Sequence, residues 1–516
     1  MDTLLLVLIL IAVYVFVWVY VRKSTILQEK GIVPYGPTIM LKTQAGKGLM
    51  ERLAAPRRFW KGYALLSKIV VFSLMIIFTG LLLWQMTIIH TIPKESALGP
   101  EYILGIPGLN PIIPIGYGIV ALIICIVIHE VAHGILTRVN GMDIKTTGLL
   151  FLIFPIGAFV EPDEEQLINA GKKERSDVYA VGPATNFIVA IILVLILTIP
   201  MLGAVETQYP DNPVVVVLSD GSPAEHAGLD VGTVIISMGG VEINTIDDFY
   251  NYNASNPGEL AEIKVVTENG EDIVYMVTGV YIESATKGQP AYESGVRAGM
   301  LLYSIDGQEI RGISELNKYL SNTTPGQVVE LVMLEFDEDT STWENSYFEV
   351  ELTSGPLPKG YLGITMNFAG IGINTPSGLL AYLKDPLQGS ETLSDMMMAS
   401  LSYLALPFIG LAPMPTELTW LFETGWILDG DLFWIVANTF YWVFWMNLMI
   451  ALTNSLPAIP LDGGYLFMDA VDYITKKLRP AIREEERQRL VESVTTWLAL
   501  PILFMIIWQF VGPRIA

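Results

Sequence analysis

The stretch His129-Glu130-Val131-Ala132-His133 follows directly on an uninterrupted apolar run, residues 119–128, and this combination decides the fold class. On a helix, residues four apart lie on one face, so both imidazoles can reach one metal ion. A glutamate beside such a pair can act as general base on metal-bound water. The apolar run places the helix in, or at the edge of, a lipid bilayer. The stretch therefore predicts a hydrolytic metal site in a membrane helix.

Other parts of the chain are also apolar enough for a membrane. The hydrophobic content is 52%, above that of an ordinary soluble protein. A bilayer span needs about 20 residues. The first candidate span, residues 4–21, lacks the cleavage site of a secretory signal, so we expect it to remain in the protein as a membrane anchor. A window at 396–412 has prolines nearby and is left open as an interfacial or re-entrant segment. The six predicted spans are 4–21, 69–89, 114–136, 178–202, 432–454 and 492–511.

The negative charge of the protein is concentrated in one block. The net charge is −23, and residues 203–366 hold 26 acidic and 6 basic residues. Such acidity argues against nucleic acid as a partner, because the phosphate backbone would be repelled. The block is therefore interpreted as a soluble insert in a membrane protein.

The basic residues predict the topology. Short loops rich in Lys and Arg stay on the cytoplasmic side, and the loop between the first two spans has ten such residues between positions 22 and 68. Counting spans from this loop puts His129 and His133 toward the cytoplasmic end of their helix, and the acidic block outside. A second part of the site must then lie where the span 432–454 ends.

At that place the chain reads Asn454-Ser455-Leu456-Pro457-Ala458-Ile459-Pro460-Leu461-Asp462-Gly463-Gly464. An aspartate among apolar residues at a membrane helix end is costly unless it is paired or binds a cation. The prolines and glycines break the helix and free backbone groups to line a cavity. Two histidines and one carboxylate with an open fourth position form a catalytic zinc arrangement. Asp462 is therefore the predicted partner of the two histidines.

These motifs resemble those of the site-2 protease family of intramembrane zinc metalloproteases. The H-E-x-x-H motif of that family matches residues 129–133, and its N-x-x-P-x-x-x-L-D-G motif matches residues 454–463. A third element, G-x-x-x-N, matches residues 182–186 in the following span. The resemblance covers the membrane core, residues 112–202 and 432–475.

The resemblance implies one catalytic Zn²⁺ ion with His129, His133 and Asp462 as its ligands. It implies that Glu130 is the catalytic base and later returns the proton to the leaving amine. It also implies a membrane-associated β-hairpin at residues 147–161, whose edge pairs with an unwound substrate. A buried supporting loop is the alternative for that segment.

Two asparagines are further candidates for the site. Asn186 and Asn454 resemble the polar residues with which the family holds the substrate backbone or the developing oxyanion. A hydrogen bond across a helix interface remains the alternative for both side chains.

The acidic block contains an internal repeat. Residues 222–252 recur as residues 289–319 at a constant offset of 67, which marks a repeated structural unit. The pattern resembles the circularly permuted PDZ domains of bacterial and archaeal proteases, and it predicts two such domains at 207–282 and 283–367. PDZ folds add a peptide strand to a sheet edge, so the grooves are expected to bind substrate peptide or to act as a size filter. A rigid spacer that binds nothing is the alternative.

The predicted fold is a polytopic α-helical membrane protein of about six transmembrane helices, with an inserted extracytoplasmic pair of α+β PDZ-like domains. The predicted divisions are N-terminal transmembrane helices and a cytoplasmic loop (1–111), the first half of the metalloprotease core (112–203), the two PDZ-like domains (207–282 and 283–367), a membrane-interface region (368–431), and the second half of the core with a C-terminal transmembrane helix (432–516).

The sequence thus predicts a multi-pass enzyme of the cell membrane, an intramembrane zinc endopeptidase. Its expected partners are the lipid bilayer and membrane-protein substrates with a transmembrane helix. One rival is a transporter or channel that lines an ion path with His and Asp, but inverted membrane repeats are not visible in the sequence. Another is a non-catalytic PDZ adaptor, which would not need Glu130.

Overall fold

The computed structural model describes residues 3–89, 99–103, 105–152, 155–337, 339–340, 342–355, 359–412, 414–425, 427–428 and 430–515. The chain forms two compact units. The first consists of Met1–Leu197, Leu406–Pro413 and Val436–Ala516, and the second of Thr198–Ala405 and Met414–Ile435.

The α-helices of the described residues include both membrane-length helices and single turns. In chain order they are α1 (Thr3–Lys23), α2 (Thr25–Glu29), α3 (Lys47–Leu53), α4 (Arg57–Ile88), α5 (Ile115–Val139), α6 (Glu164–Asn169), α7 (Lys172–Ile196), α8 (Pro223–His226), α9 (Ile246–Ser255), α10 (Pro290–Glu293), α11 (Ile313–Leu320), α12 (Pro376–Lys384), α13 (Leu393–Leu404), α14 (Thr416–Thr419), α15 (Gly430–Asn454), α16 (Asp462–Leu478) and α17 (Glu484–Ile515).

The strands pair antiparallel wherever they form a ladder. In chain order they are β1 (Ile32–Tyr35), β2 (Thr38–Thr43), β3 (Ile144–Phe151), β4 (Pro155–Pro162), β5 (Val205–Thr207), β6 (Val214–Leu218), β7 (Val234–Met238), β8 (Val241–Glu242), β9 (Leu260–Thr267), β10 (Gly270–Val277), β11 (Val280–Ala285), β12 (Leu301–Ile305), β13 (Gln308–Glu309), β14 (Val328–Asp337), β15 (Thr342–Glu351), β16 (Thr353–Ser354), β17 (Gly360–Tyr361), β18 (Ile364–Phe368), β19 (Ile371–Asn374) and β20 (Phe422–Thr424).

Among the described residues, five helices are long and apolar enough to cross a membrane. They are α4, α5, α7 with the turns that follow it to Ala204, α15 and α17. These five correspond to five of the six predicted spans. The remaining span, 4–21, falls on α1, where the side chains of residues 3–8, 10 and 11 lie outside the described set. The open window 396–412 begins inside the short helix α13, which ends at Leu404.

The first unit is a bundle in which α5 packs against α4 and α7. Small residues of α5, among them Ala121, Cys125 and Ala132, are buried on its inner side. Small side chains allow membrane helices to approach closely, so that van der Waals packing holds them together. Toward its C-terminal end, α5 shares a buried apolar cluster with α3, α4 and α7, which includes Met50 and Val178.

A four-stranded sheet lies beside this bundle in the order β1-β2-β3-β4. The predicted hairpin is β3 and β4, in which Thr147 pairs with Val160 and Gly148 with Phe159. Since β4 is the last strand in the order, one of its edges is outside the ladder. Strands β1 and β2 have no counterpart in the prediction, because residues 32–43 fall in the loop between the first two predicted spans.

The second unit contains a larger sheet that repeats one strand order twice. One half runs β10-β9-β7-β6-β19 and the other runs β15-β14-β12-β11-β18, and the halves meet where β18 pairs with β19. Each half encloses its own buried apolar cluster. The offset of 67 holds in the structure, because β7 and β12, α8 and α10, and α9 and α11 occupy equivalent places in the two halves.

The two copies are nested rather than consecutive. Strand β19 pairs with β6 of the first copy but follows the whole of the second copy along the chain. The predicted range 207–282 therefore leaves out a strand of the first copy, and the range 368–431, predicted as membrane interface, begins with sheet residues. The repeat could not show this, because β18 and β19 both lie outside the repeated residues 222–252 and 289–319.

Candidate metal centre

Three ligand atoms from two distant parts of the chain meet in the first unit. Helix α5 places His129 and His133 one turn apart, and their Nε2 atoms are 3.1 Å apart. Asp462 is the first residue of α16, and its Oδ2 lies 3.1 Å from Nε2 of His129 and 3.3 Å from Nε2 of His133. These residues form a group that could hold a metal ion.

The spacing of the three atoms fits zinc. Tetrahedral ligands about 2.1 Å from Zn²⁺ lie about 3.4 Å from each other, close to the distances found here. His133 Nδ1 faces the backbone oxygen of Val178 at 2.7 Å, which favours a proton on Nδ1 and leaves Nε2 free for a metal. Both histidines are buried. Three protein ligands leave a fourth position for water or substrate.

Gly182 allows the imidazoles to occupy this place. It lies on α7, and a Cβ there would be 2.8 Å from Nε2 of His129 and closer still to Nε2 of His133. Even alanine would therefore displace at least one imidazole. This is the physical reason for glycine in the third motif.

Asp462 is held by a tight junction between α15 and α16. Gly463 and Gly464 lie so close to the preceding loop that a Cβ would be 2.7 Å from the oxygen of Leu456 and 2.6 Å from the nitrogen of Ile459, respectively. The carboxylate also stands at a helix N-terminus, where the helix dipole favours negative charge. The two glycines thus fix the start of α16 and, with it, the third ligand.

Glu130 faces a cavity of about 440 Å³ that the metal group also lines. Its Oε2 accepts a hydrogen bond of 2.9 Å from the backbone N–H of Val160 in β4. Because this N–H points to Glu130 rather than to β3, the outer edge of the hairpin borders the cavity. The structure therefore brings the candidate base, the metal group and the edge of β4 that is outside the described ladder to one place.

The two candidate asparagines differ in position. Asn454 lines the cavity together with Tyr179 and Pro460. Asn186 is fully buried, one turn after Gly182, and is not part of the cavity lining that the structure describes. Neither polar atom of its amide has a hydrogen-bond partner among the described residues.

The comparisons with known proteins agree with this geometry. The model of Peptidase family M50 matches residues 117–499, which is most of the chain. The chain belongs to peptidase family M50. The predicted membership of the site-2 protease family is thereby confirmed, and the five apolar helices are those of a multi-pass membrane protein.

Curated relatives of this M50 chain align over parts of their length. An uncharacterized protein of Methanocaldococcus jannaschii is 31% identical over 235 residues, covering 45% of this chain and 60% of the relative. A protein of Clostridium perfringens named "Putative zinc metalloprotease" is 26% identical over 203 residues, covering 36% of this chain and 58% of the relative. The chain thus spans less than two thirds of each of these relatives.

Proposed function

We propose that this M50 protein is an intramembrane zinc endopeptidase that cleaves transmembrane segments of membrane-anchored substrates. The observation that carries the proposal is the convergence of His129, His133 and Asp462 beside Glu130, at a cavity among membrane-length helices. Family membership and the zinc metalloprotease named among the relatives support it.

The residues at the cavity can carry out hydrolysis. Bound zinc would supply the positive charge that acidifies water and polarises the scissile carbonyl. Glu130 takes the proton of the attacking water at its carboxylate and returns it to the leaving amine. The Val160 N–H orients that carboxylate, and the backbone oxygen of Val178 orients His133.

The edge of β4 supports an extended substrate. A transmembrane helix hides its amides in internal hydrogen bonds, so its backbone must be unwound before attack. A strand added to the outer edge of β4 would satisfy the freed groups and present a peptide bond to Glu130. Asn454 lies in the cavity wall and is suited to bind the developing oxyanion. Asn186 is buried outside the described cavity lining, so the proposal gives it no contact with substrate.

The two PDZ-like domains of the acidic block would select substrates outside the membrane. Strand β18 pairs with β11 on one side, and on the other it meets β19 only at Phe368 and Ile371. Its other edge, which is outside any described ladder, borders a groove of about 250 Å³. The groove is lined by α11, by β18 and by β17 with its flanking residues. An extended peptide end fits such a groove by strand addition. The charge-derived topology, with the metal group near the cytoplasmic face, belongs to the same proposal.

The deciding experiment is Glu130→Gln in full-length protein reconstituted into proteoliposomes with a model transmembrane substrate. We expect cleavage to fall by about 10²–10⁴-fold, as for loss of a general base, while zinc content stays unchanged. Glu165→Gln, at an exposed position of α6, is the matched control. Unchanged cleavage by Glu130→Gln would refute the mechanism. Loss of cleavage with zinc retained would speak against both an ion transporter and a PDZ adaptor.

A further inference from the structure

A buried ion pair joins α7 to α16 beyond the cavity. Arg175 Nε donates to Oδ2 of Asp469 at 3.2 Å, and its Nη2 donates to Oδ1 of the same carboxylate. The hydroxyl of Ser176 donates to Oδ2 as well, at 3.2 Å. Asp469 is only 4% exposed. A two-point contact between guanidinium and carboxylate fixes both position and direction, which a single contact does not.

This ion pair lies two helical turns from the metal group along both helices. Asp469 follows Asp462 by seven residues on α16, and Arg175 precedes Gly182 by seven residues on α7. Seven residues are two helical turns, so each pair shares a face, with about 10 Å between its members. Gly182 lies against the imidazoles that meet Asp462. Helix α16 therefore meets α7 at two levels, directly at Arg175 and through the two imidazoles at Gly182.

A stacked aromatic pair lies between the two levels. The rings of Tyr179 and Tyr465 are 4.9 Å apart with an interplanar angle of 17°. Tyr179 stands four residues after Arg175 and also lines the cavity. Aromatic pairs occur over a range of centroid distances, about 4.5–7 Å, so stacking fixes an axial position less closely than a two-point ion pair does. Polar contacts therefore define the position of α16 along α7: the one at Asp469 and, one turn further along α16, the ion pair between Lys172 and Asp472.

We infer that Arg175 and Asp469 are positioning residues that set the axial register of α16 and so hold Asp462 at the height of the two imidazoles. A shift of one residue along a helix is about 1.5 Å, whereas metal ligands tolerate about 0.2 Å. Buried ion pairs contribute little net stability, but in some proteins they specify one arrangement among several. The inference depends on the proposed function at one point, namely that His129, His133 and Asp462 hold zinc.

The test measures metal binding rather than cleavage. Full-length protein in detergent is titrated with a chelator to obtain zinc affinity, and the visible spectrum of its Co²⁺ form reports the ligand geometry. We expect Asp469→Asn to weaken zinc binding by about tenfold or more, as for partners outside the ligand set, and to alter the Co²⁺ spectrum. Arg175→Lys keeps the charge without the two-point contact and should give a smaller change in the same direction.

Asp177→Asn is the matched control. Asp177 is also buried on α7, at 1% exposure, but its partners Lys61 and Lys68 belong to α4. This variant should lose stability and keep both zinc affinity and the Co²⁺ spectrum. A double variant, Arg175→Asp with Asp469→Arg, restores a pair of opposite charges and should recover part of the affinity.

The outcomes separate this inference from the proposed function. Unchanged zinc affinity and Co²⁺ spectrum in both Asp469→Asn and Arg175→Lys would overturn the register role and leave the zinc site standing. An equal loss in Asp177→Asn would also overturn it, since the effect would then be general destabilisation. A wild-type protein that binds no zinc would overturn the proposed function and this inference with it.

Discussion

The backbone N–H of Val160 donates to the carboxylate of Glu130 over 2.9 Å. The bond joins the residue after His129 on α5 to the outer edge of β4. It therefore links the proposed base to the strand edge at which a substrate would pair. The proposed base and the strand edge proposed as a template for an extended chain are therefore in direct contact.

Replacing Val160 tests this link. Val160→Pro removes the N–H and is compatible with a strand edge, whereas Val160→Ala keeps it and serves as control. A hydrogen bond to a charged group contributes about 1.5–3 kcal/mol, so kcat of Val160→Pro should fall by about tenfold or more with zinc retained. Single-turnover cleavage in proteoliposomes measures it. Equal kcat values in the two variants would contradict a role for the bond.

Gly182→Ala should displace the histidines. Its Cβ would overlap His133 and lie 2.8 Å from Nε2 of His129, so zinc affinity should fall by about tenfold or more. Gly80→Ala is the control, because a Cβ at that helical glycine of α4 meets nothing within 4 Å. Chelator competition gives both affinities. Normal zinc binding by Gly182→Ala would contradict the prediction, because the imidazoles could then bind zinc beside an alanine Cβ.

The second copy of the repeat should bind the end of a peptide through Lys359, which lines the groove beside β18. An apolar peptide with a free C-terminal carboxylate should bind full-length protein about fivefold more weakly after Lys359→Glu, the size of one exposed charge pair. Lys287→Glu, at an exposed position of the same copy, should bind normally. Fluorescence anisotropy measures both, with the amidated peptide alongside. If the amidated peptide and the peptide with a free carboxylate bind with equal affinity, the groove does not recognise the C-terminal carboxylate.

Glu161 should make the hairpin sensitive to acid. The Thr146 hydroxyl holds the pKa of the Glu161 carboxyl below its usual value, and Lys42 acts in the same direction. Because the pKa is lower in the folded state, the ionised carboxylate stabilises the folded protein at pH values above the unfolded pKa of about 4.3. This stabilisation is lost as the pH falls through the pKa of the folded state. Glu161→Gln should therefore lower the Tm at pH 7, and the difference from wild type should be smaller at pH 3. Glu165→Gln is the control, and an equal Tm difference at both pH values would refute the assignment.

Local patterns were sufficient for much of the fold and the site. A span is recognised from the composition of a single window, and five predicted spans match helices. The spacing of His129 and His133 follows from helical periodicity alone. Asp462 could be predicted although it is far away in sequence, because topology limited where a partner could lie. The repeat was visible because both copies kept their turn glycines.

Relationships between distant backbone segments could not be predicted in this way. The pairing of β19 with β6, the addition of β1 and β2 to the hairpin, and the bond from Val160 to Glu130 have no signature in either segment alone. The exclusion of Asn186 from the described cavity lining likewise depends on where α7 lies in the bundle.

The sequence by itself determined that this protein crosses a membrane and carries two histidines, a glutamate and an aspartate suited to a zinc site. Those conclusions needed only hydrophobicity, helical period and charge. The tertiary structure alone decided that Gly182 makes room for the imidazoles and that Arg175 meets Asp469. The reason is that close approach and axial register depend on where two helices lie relative to each other, and that position results from the packing of the whole bundle.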